Sequence, residues 1–284
     1  MKAPPFEYIK PGSLDEVFSL LDRYGDDARI LAGGQTLMAT LNMRLSEPQL
    51  LIDIGSIEGL RGISLLDGCV SIGAMTRHSE IEDSAVIAEY LPLLSMAAPH
   101  VAHRAIRNRG TLGGSLAFSD PAAEWPACTV ALDATIVLVG KGGERRVKAG
   151  DFFLDLYTTA MQPDEIIKAC EFPLPASSSR SAFLELARRH GDYAIVGLAA
   201  TGRLQGGVLT DLHLVFLGTA NTPVRARAAE ARIEGNVLDS TVLDSAKSAL
   251  TTELLPAADL YNGAQTKLHL AGVLMGRALK QLLV

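Results

Sequence analysis

The chain has 284 residues, enough for one large domain or two modest ones with a real buried core. Hydrophobic residues make up 48% and charged residues 20%, with 26 Gly and 13 Pro, which excludes the disordered and fibrous classes. Acidic residues outnumber basic ones by 32 to 26, and the formal charge of -6 argues against a phosphate backbone or an anionic membrane as main partner.

In chain order, residues 1–11 lack a basic region followed by an apolar run, so no secretory signal is expected and a cytoplasmic protein is the default. Ser13 followed by Glu16 is a capping-box pattern. Leu14, Val17, Phe18, Leu21 and Tyr24 then recur at helical spacing until Gly25, which predicts a short amphipathic helix. A buried strand is expected at 28–31, ending at Gly33-Gly34, with helical potential over 35–45. Further strands are predicted at 50–54 and 69–72, the second bounded by Asp67-Gly68 and Gly73. Helical segments are expected over 81–96 and 98–106, interrupted by Pro92 and Pro99.

The stretch 107–126, rich in Gly, Ser, Asp and Pro, reads as loop. The most apolar run, 128–139, is broken by Asp133 and falls short of the ~18 residues a membrane span needs. A hairpin is predicted from 135–139 and 145–148, and a strand over 165–172. Pro and Ser crowd out any periodic apolar face over 173–181, which reads as a linker. Beyond it, 182–186, 194–204 and 208–217 form an antiparallel meander, the last two joined through Gln205-Gly206-Gly207. Helices follow around 225–234, 239–250 and 265–283. The helix and strand alternation is too irregular to demand a doubly wound sheet, so the expected class is α+β. The expected domains are 1–175, in two parts of about 1–57 and 58–175, and 176–284.

Cys69, Cys128 and Cys170 lie 59 and 42 positions apart with no C-x-x-C pair. They read as buried small hydrophobes in a reducing compartment, and form neither a disulfide framework nor a zinc or iron–sulfur ligand set. Two glycine pairs stand out instead, Ala32-Gly33-Gly34-Gln35-Thr36 and Thr111-Leu112-Gly113-Gly114-Ser115. Each sets glycine, which lets a ligand approach the main chain, beside a small hydroxyl residue and free backbone N–H groups. Either pair alone is better explained by a tight turn. Together they suggest two loops cradling the two phosphates of one dinucleotide. No G-x-G-x-x-G and no G-x-x-x-x-G-K-[ST] occurs, so a different fold must hold that ligand.

Three stretches carry a resemblance: Arg29-Ile30-Leu31-Ala32-Gly33-Gly34-Gln35-Thr36-Leu37-Met38, then Ile106-Arg107-Asn108-Arg109-Gly110-Thr111-Leu112-Gly113-Gly114-Ser115, then Arg188-Arg189-His190-Gly191-Asp192-Tyr193-Ala194-Ile195-Val196. Over essentially the whole chain, the sequence resembles the medium, FAD-binding subunit of the molybdenum hydroxylases, the group of xanthine dehydrogenase and aerobic carbon monoxide dehydrogenase. The resemblance implies a two-lobed FAD domain of the vanillyl-alcohol-oxidase-like type and a small C-terminal flavoprotein domain of antiparallel sheet and helices.

It also implies roles. Arg29, Ile30, Leu31, Ala32, Gly33, Gly34, Gln35 and Thr36 would wrap the FAD pyrophosphate and part of the adenosine. Thr111, Gly113, Gly114 and Ser115 would contact it from the other side. Val101 and Ala102 would line the flavin or adenine pocket, Glu124 would hydrogen-bond ribityl or ribose hydroxyls, and Met161 would pack near the isoalloxazine. Tyr193 would sit near the flavin ring, beside the route of an electron acceptor. Four positions depart from the family pattern: Ser115 stands where Asn or Asp is frequent, Glu124 where Asp is common, Met161 where a leucine is common, and Glu185 where some relatives carry a lysine near the flavin. A carboxylate there would bear on the flavin potential.

Other groups have blander readings. His100 and His103 are three apart, yet no third ligand with metal spacing accompanies them, and no metal site is expected. Ser119-Asp120 lacks a G-x-S-x-G elbow and suits a cap or turn. Arg104, Arg107 and Arg109, with Arg188 and Arg189, are either solvated surface or a site for phosphate or an acidic partner. The expected function is an FAD-binding electron-transfer subunit of a heterotrimeric molybdenum hydroxylase. A large molybdopterin-binding subunit would oxidise the substrate, and a small subunit carrying [2Fe–2S] clusters would relay electrons to FAD and on to an external acceptor. The alternative is a self-contained FAD-dependent oxidoreductase, for which only His190, Asp192 and Tyr193 offer chemistry near the flavin.

Overall fold

A computed structural model of the chain describes residues 2–284. The N-terminal lobe runs β1 (Glu7–Ile9), α1 (Leu14–Tyr24), β2 (Ala28–Leu31), α2 (Leu37–Asn42) and β3 (Leu50–Asp53). Its sheet has the order β1-β3-β2, with both outer strands parallel to β3, so α1 and α2 are the crossovers that parallel pairing requires. α1 forms as its sequence dictates: Ser13 Oγ accepts the Glu16 N–H at 3.3 Å, and the Glu16 carboxylate accepts the Gly12 N–H. Val17, Phe18 and Leu21 then pack against Leu50 and Ile52 of β3.

The second lobe opens on β4 (Ile63–Leu66) and β5 (Cys69–Gly73). Short helices follow: α3 (His78–Glu82), α4 (Ala85–Tyr90), α5 (Pro92–Ala97), α6 (Arg104–Arg107), α7 (Leu112–Phe118) and α8 (Glu124–Ala131). It closes with β6 (Thr135–Gly140), β7 (Gly143–Lys148), α9 (Ala149–Phe152), β8 (Phe153–Asp155), β9 (Thr158–Thr159) and β10 (Ile166–Pro173), in an antiparallel sheet of order β4-β5-β10-β6-β7 and a small β8-β9 pair. The segment 81–96 holds the end of α3, then α4 and α5, with the expected break at Pro92 and a further one at Asp83-Ser84. Ser84 caps α4 by accepting the Ile87 N–H, and Pro92 starts α5 at a position where its missing N–H costs nothing.

The predicted loop at 107–126 is the largest departure, because it holds α7 and the start of α8. Thr111 Oγ1 accepts the Gly114 N–H at 3.2 Å, so the second glycine pair lies in the first turn of a helix. α8 is buried on every face, which leaves no amphipathic period to read.

The C-terminal unit comprises β11 (Ser179–Leu186), β12 (Val196–Gln205), β13 (Val208–Leu217), β14 (Val224–Arg225), α10 (Arg227–Ile233), α11 (Ser240–Glu253) and α12 (Ala264–Leu282). The meander is as predicted, with Gly206 and Gly207 at φ 58 and 83 forming the two-residue turn that suits the strand twist. Ser179, Arg180 and Ser181, read as linker, pair with β12; an edge strand tolerates their polar side chains. Alternate residues of this sheet serve two cores. Ala182, Leu198, Leu214 and Phe216 face α12, while Phe183, Ala199, Val215 and Leu217 join the core around α8. Thr201 and His213 side chains both bond the Ala131 carbonyl, which pins the unit to the end of α8. The class is α+β, a two-lobed domain followed by a small sheet backed by helices.

Candidate functional site

A cavity of about 590 Å³ opens where the two lobes and the C-terminal unit meet. Sixteen of the seventeen residues singled out from the sequence line it: Arg29, Ile30, Ala32, Gly33, Gly34, Gln35 and Thr36 from the first motif, Val101 and Ala102, Thr111, Gly113, Gly114 and Ser115 from the second, and Glu124, Met161 and Tyr193. Leu31 is the exception. It lies in β2 opposite Asp53, with its side chain against Gly34.

The first motif leaves β2 through Gly34, at φ +72, and turns into α2. The main-chain N–H groups of Gly33, Gly34, Gln35, Thr36 and Leu37 have no partner among the described residues. Five consecutive unpaired donors at a cavity wall are suited to an anion such as a pyrophosphate. Arg29 stands beside them, its guanidinium donating to the Asp26 and Ala28 carbonyls.

The second motif works differently from expectation. The Leu112 N–H donates to the Thr76 carbonyl, the Gly113 N–H to the Ala74 carbonyl and the Gly114 N–H to Thr111 Oγ1, so the first turn of α7 has spent its donors. Its glycines answer to packing. A Cβ on Gly113 would lie 2.5 Å from that of Ala74, and one on Gly114 would lie 2.9 Å from Thr111 Oγ1. Gly33 belongs to the same contact, since its missing Cβ would lie 2.3 Å from the Arg109 carbonyl oxygen and 2.7 Å from Gly110 Cα. The glycine pairs therefore let two main chains touch, and of the two motifs only the first loop leaves its main-chain N–H groups unpaired.

Arg107 faces inward, against either sequence reading of the arginine cluster. It is 7% exposed, donates to the Val101 and Ala102 carbonyls at 3.1 and 3.0 Å, and forks onto both oxygens of Glu82. It thereby holds the 101–102 turn, where Ala102 has φ 45, against the cavity. Arg104 pairs with Glu82 and Asp83 on the surface, Arg188 stacks on Tyr261 at 4.2 Å, and Arg109 is exposed. His100 ends a 3-10 turn against Phe183, whereas His103 precedes α6 and packs on Gly191, so they share no helical face. Ser119 caps α7 at φ 54 and Asp120 accepts the Ala122 N–H, the turn roles expected of them.

Glu124 opens α8 in the cavity wall. Burial, reinforced by the Asp120 carboxylate, pushes its carboxyl up to about 7. Glu185 does not line the cavity; burial and the nearby Glu124 push it up to about 8, and one of its oxygens has no partner. An expected carboxylate at position 185 is thus a neutral acid at pH 7. Unfolded, both groups lose their protons near 4.5, so the native state binds more protons over the interval up to about 8. Their contribution to stability is complete below that lower value and is lost as pH rises through 7 and 8. Urea unfolding between about pH 5 and 8 should show stability falling by up to ~1.4 kcal/mol per pH unit for each retained proton and levelling off above that range, with a shallower slope in Glu185→Gln. Equal slopes in the two proteins would remove Glu185 from the explanation.

Sequence reasoning missed His78, Ala74 and Met75, which also line the cavity. His78 carried no motif to mark it. Among the described residues, no group of three or more His, Cys, Asp or Glu side chains is arranged to hold a metal ion.

Comparison with known proteins covers the whole chain. Residues 4–175 match the family described as the FAD binding domain in molybdopterin dehydrogenase, and residues 181–282 match the CO dehydrogenase flavoprotein C-terminal domain. The chain is similar to the 6-hydroxypseudooxynicotine dehydrogenase complex subunit alpha of Paenarthrobacter nicotinovorans, at 38% identity over 100% of this chain and 96% of the relative. It is similar to the carbon monoxide dehydrogenase medium chain of Hydrogenophaga pseudoflava, at 36% identity over 98% and 97%. Among solved structures it superposes on a chain of carbon monoxide dehydrogenase from Hydrogenophaga pseudoflava with TM-score 0.96 at 37% identity, covering 99% of this chain and 98% of that one. It superposes on a chain of quinoline 2-oxidoreductase from Pseudomonas putida 86 with TM-score 0.94 at 37% identity and the same coverage.

Proposed function

The chain belongs to the FAD-binding medium subunits of the molybdenum hydroxylases, and from that premise we propose that its FAD lies in the cavity between the two glycine motifs. The observation that carries this reading is the row of unpaired N–H groups from Gly33 to Leu37, facing a cavity that the second motif and the Tyr193 motif also line. In this reading those donors hold the pyrophosphate. The Glu124 carboxyl, pushed up to about 7 by burial, can accept from sugar or ribityl hydroxyls and, when protonated, donate to them. Val101, Ala102 and Met161 supply apolar wall. Residues 1–175 then form the FAD domain, in parts of about 1–57 and 58–175, and 176–284 form the C-terminal domain that brings Tyr193 to the mouth.

Bound FAD supplies the redox chemistry, accepting electrons singly and delivering them in pairs. The chain's part is to hold it, shield it and leave it an exit. It serves as the oxidoreductase subunit through which electrons leave a heterotrimer. A large molybdopterin-binding subunit oxidises the substrate and a small iron–sulfur subunit feeds the flavin; the three cysteines here are separate and unpaired, and none offers a cluster site. Met43 and Leu45, 56% and 71% exposed after α2, are candidates for the partner contact. No described helix is long and apolar enough to cross a membrane, and the assembly is proposed to act in the cytoplasm.

Tyr193 is 72% exposed at the cavity mouth, the position from which a side chain governs an acceptor's approach. In the assembled complex, Tyr193→Ala should leave flavin content and reduction by substrate unchanged and alter re-oxidation by roughly tenfold, about 1.4 kcal/mol in a barrier. Unaltered re-oxidation removes Tyr193 from the path. Full-rate reduction of the isolated chain's flavin by an organic substrate would replace the subunit reading with that of a self-contained oxidoreductase.

A further inference from the structure

His78 opens α3 in the cavity wall, one residue's thickness from the first glycine loop. Its main-chain N–H donates to the Gly110 carbonyl at 3.0 Å, and its ring lies so close to Gly110 that a Cβ there would be 2.6 Å from Nε2. Gly110 in turn touches Gly33, so the imidazole, Gly110 and the loop of unpaired N–H groups are stacked in contact. The ring is 6% exposed. Its Nδ1 accepts the indole N–H of Trp125 at 3.0 Å, and Trp125 is fully buried in α8. An accepting Nδ1 on a neutral imidazole places the proton on Nε2. Burial and the neighbouring Arg107 cation hold the imidazole neutral, down to about 3. Nε2 itself has no partner among the described residues and is not sealed from solvent, and the residue lines the cavity.

We infer that His78, fixed in one tautomer by Trp125, presents its Nε2–H to the diphosphate of the bound dinucleotide, as one more donor beside the Gly33–Leu37 loop. A fixed neutral donor suits this place. It adds a hydrogen bond to an anionic oxygen without a second buried cation next to Arg107. Trp125 thereby links the helix that carries Glu124 to the ligand's phosphates through one side chain. This inference rests on FAD occupying the cavity.

The chain's single tryptophan is Trp125 itself, so intrinsic fluorescence reports directly on the site. The full-length chain, stripped of flavin, is titrated with FAD, with ADP as a diphosphate lacking the flavin, and with riboflavin as a flavin lacking phosphate. Quenching of Trp125 by FAD in the unmodified chain tests occupancy of the cavity; its absence defeats the seat and not the role of His78 within it. His78→Asn removes the donor at the Nε2 position, while His78→Gln puts an amide N–H close to it. Expected is a tenfold to roughly hundredfold weaker binding of FAD and ADP by His78→Asn, riboflavin unaffected, and His78→Gln within about threefold of the unmodified chain. Imidazole nitrogen NMR should show a protonated Nε2 and an accepting Nδ1 between about pH 5 and 8. Unchanged FAD and ADP binding in His78→Asn overturns the inference. So do equal losses in both variants accompanied by a lower urea midpoint, which would mark a purely structural ring, and so does a protonated Nδ1.

Discussion

Gly33→Val is expected to abolish flavin retention, weakening FAD binding by at least about 100-fold, or roughly 2.7 kcal/mol. The physical reason differs from the simplest one. A side chain at Gly33 first meets protein, with its Cβ 2.3 Å from the Arg109 carbonyl oxygen and 2.7 Å from Gly110 Cα. Both are main-chain atoms that cannot swing aside, so the first loop must part from the lead-in to α7 and the row of N–H donors moves with it. Gly142, which has open space around its missing Cβ, is the control, and Gly142→Ala should retain normal flavin. The flavin-to-protein absorbance ratio of the purified chains distinguishes the two. Normal flavin in Gly33→Val contradicts the contact as the organiser of the site.

Arg107→Ala should be the most destabilising single change near the cavity, on the order of 3–5 kcal/mol. The substitution leaves Glu82, a side chain only 19% exposed, without its main partner, and strips the buried Val101 carbonyl and the half-buried Ala102 carbonyl of their donor. At a typical domain stability of about 5–15 kcal/mol, that loss is a large fraction of the whole. Arg107→Lys should recover little, because one ammonium cannot span both Glu82 oxygens and two carbonyls at once. Urea unfolding should show a midpoint well below that of the unmodified chain at an unchanged slope, with FAD weakened as the 101–102 turn relaxes. A midpoint within about 0.5 kcal/mol of the original would mean that water replaces the guanidinium.

Much of this was legible in the residues. The capping box at Ser13 and Glu16, the Gly206-Gly207 hairpin and the meander around it each carry local signals that tertiary packing reinforces. What the sequence concealed follows a pattern. α8 is apolar on all sides because it is buried on all sides, and α7 is glycine-rich because Ala74 and Ala32 pack against it, so both look unlike surface helices. The same ambiguity hid the division of labour between the motifs. Glycine that frees N–H groups and glycine that admits a neighbouring main chain read alike in one dimension. Only the hydrogen-bond partners of Leu112, Gly113 and Gly114 separate the two uses.

Arg107 and His78 were opaque for a related reason. A lone arginine between Arg104 and Arg109 reads as part of a surface cluster, and nothing local reveals that Glu82, 25 positions earlier, waits for it in the interior. His78 meets Trp125 across 47 positions, a contact made only when α3 and α8 close around the cavity. Glu185 shows the converse. Its position suggested a charge acting on the flavin, but burial beside Glu124 keeps it neutral and outside the cavity wall.

The most direct measurement for the whole account is a crystal structure of the flavin-loaded chain. The account predicts FAD density within the cavity, its phosphates within hydrogen-bond reach of the Gly33–Leu37 N–H groups and its isoalloxazine toward Tyr193. FAD seated elsewhere, or phosphates held by the first turn of α7 with the first loop's N–H groups left unpaired, would contradict it.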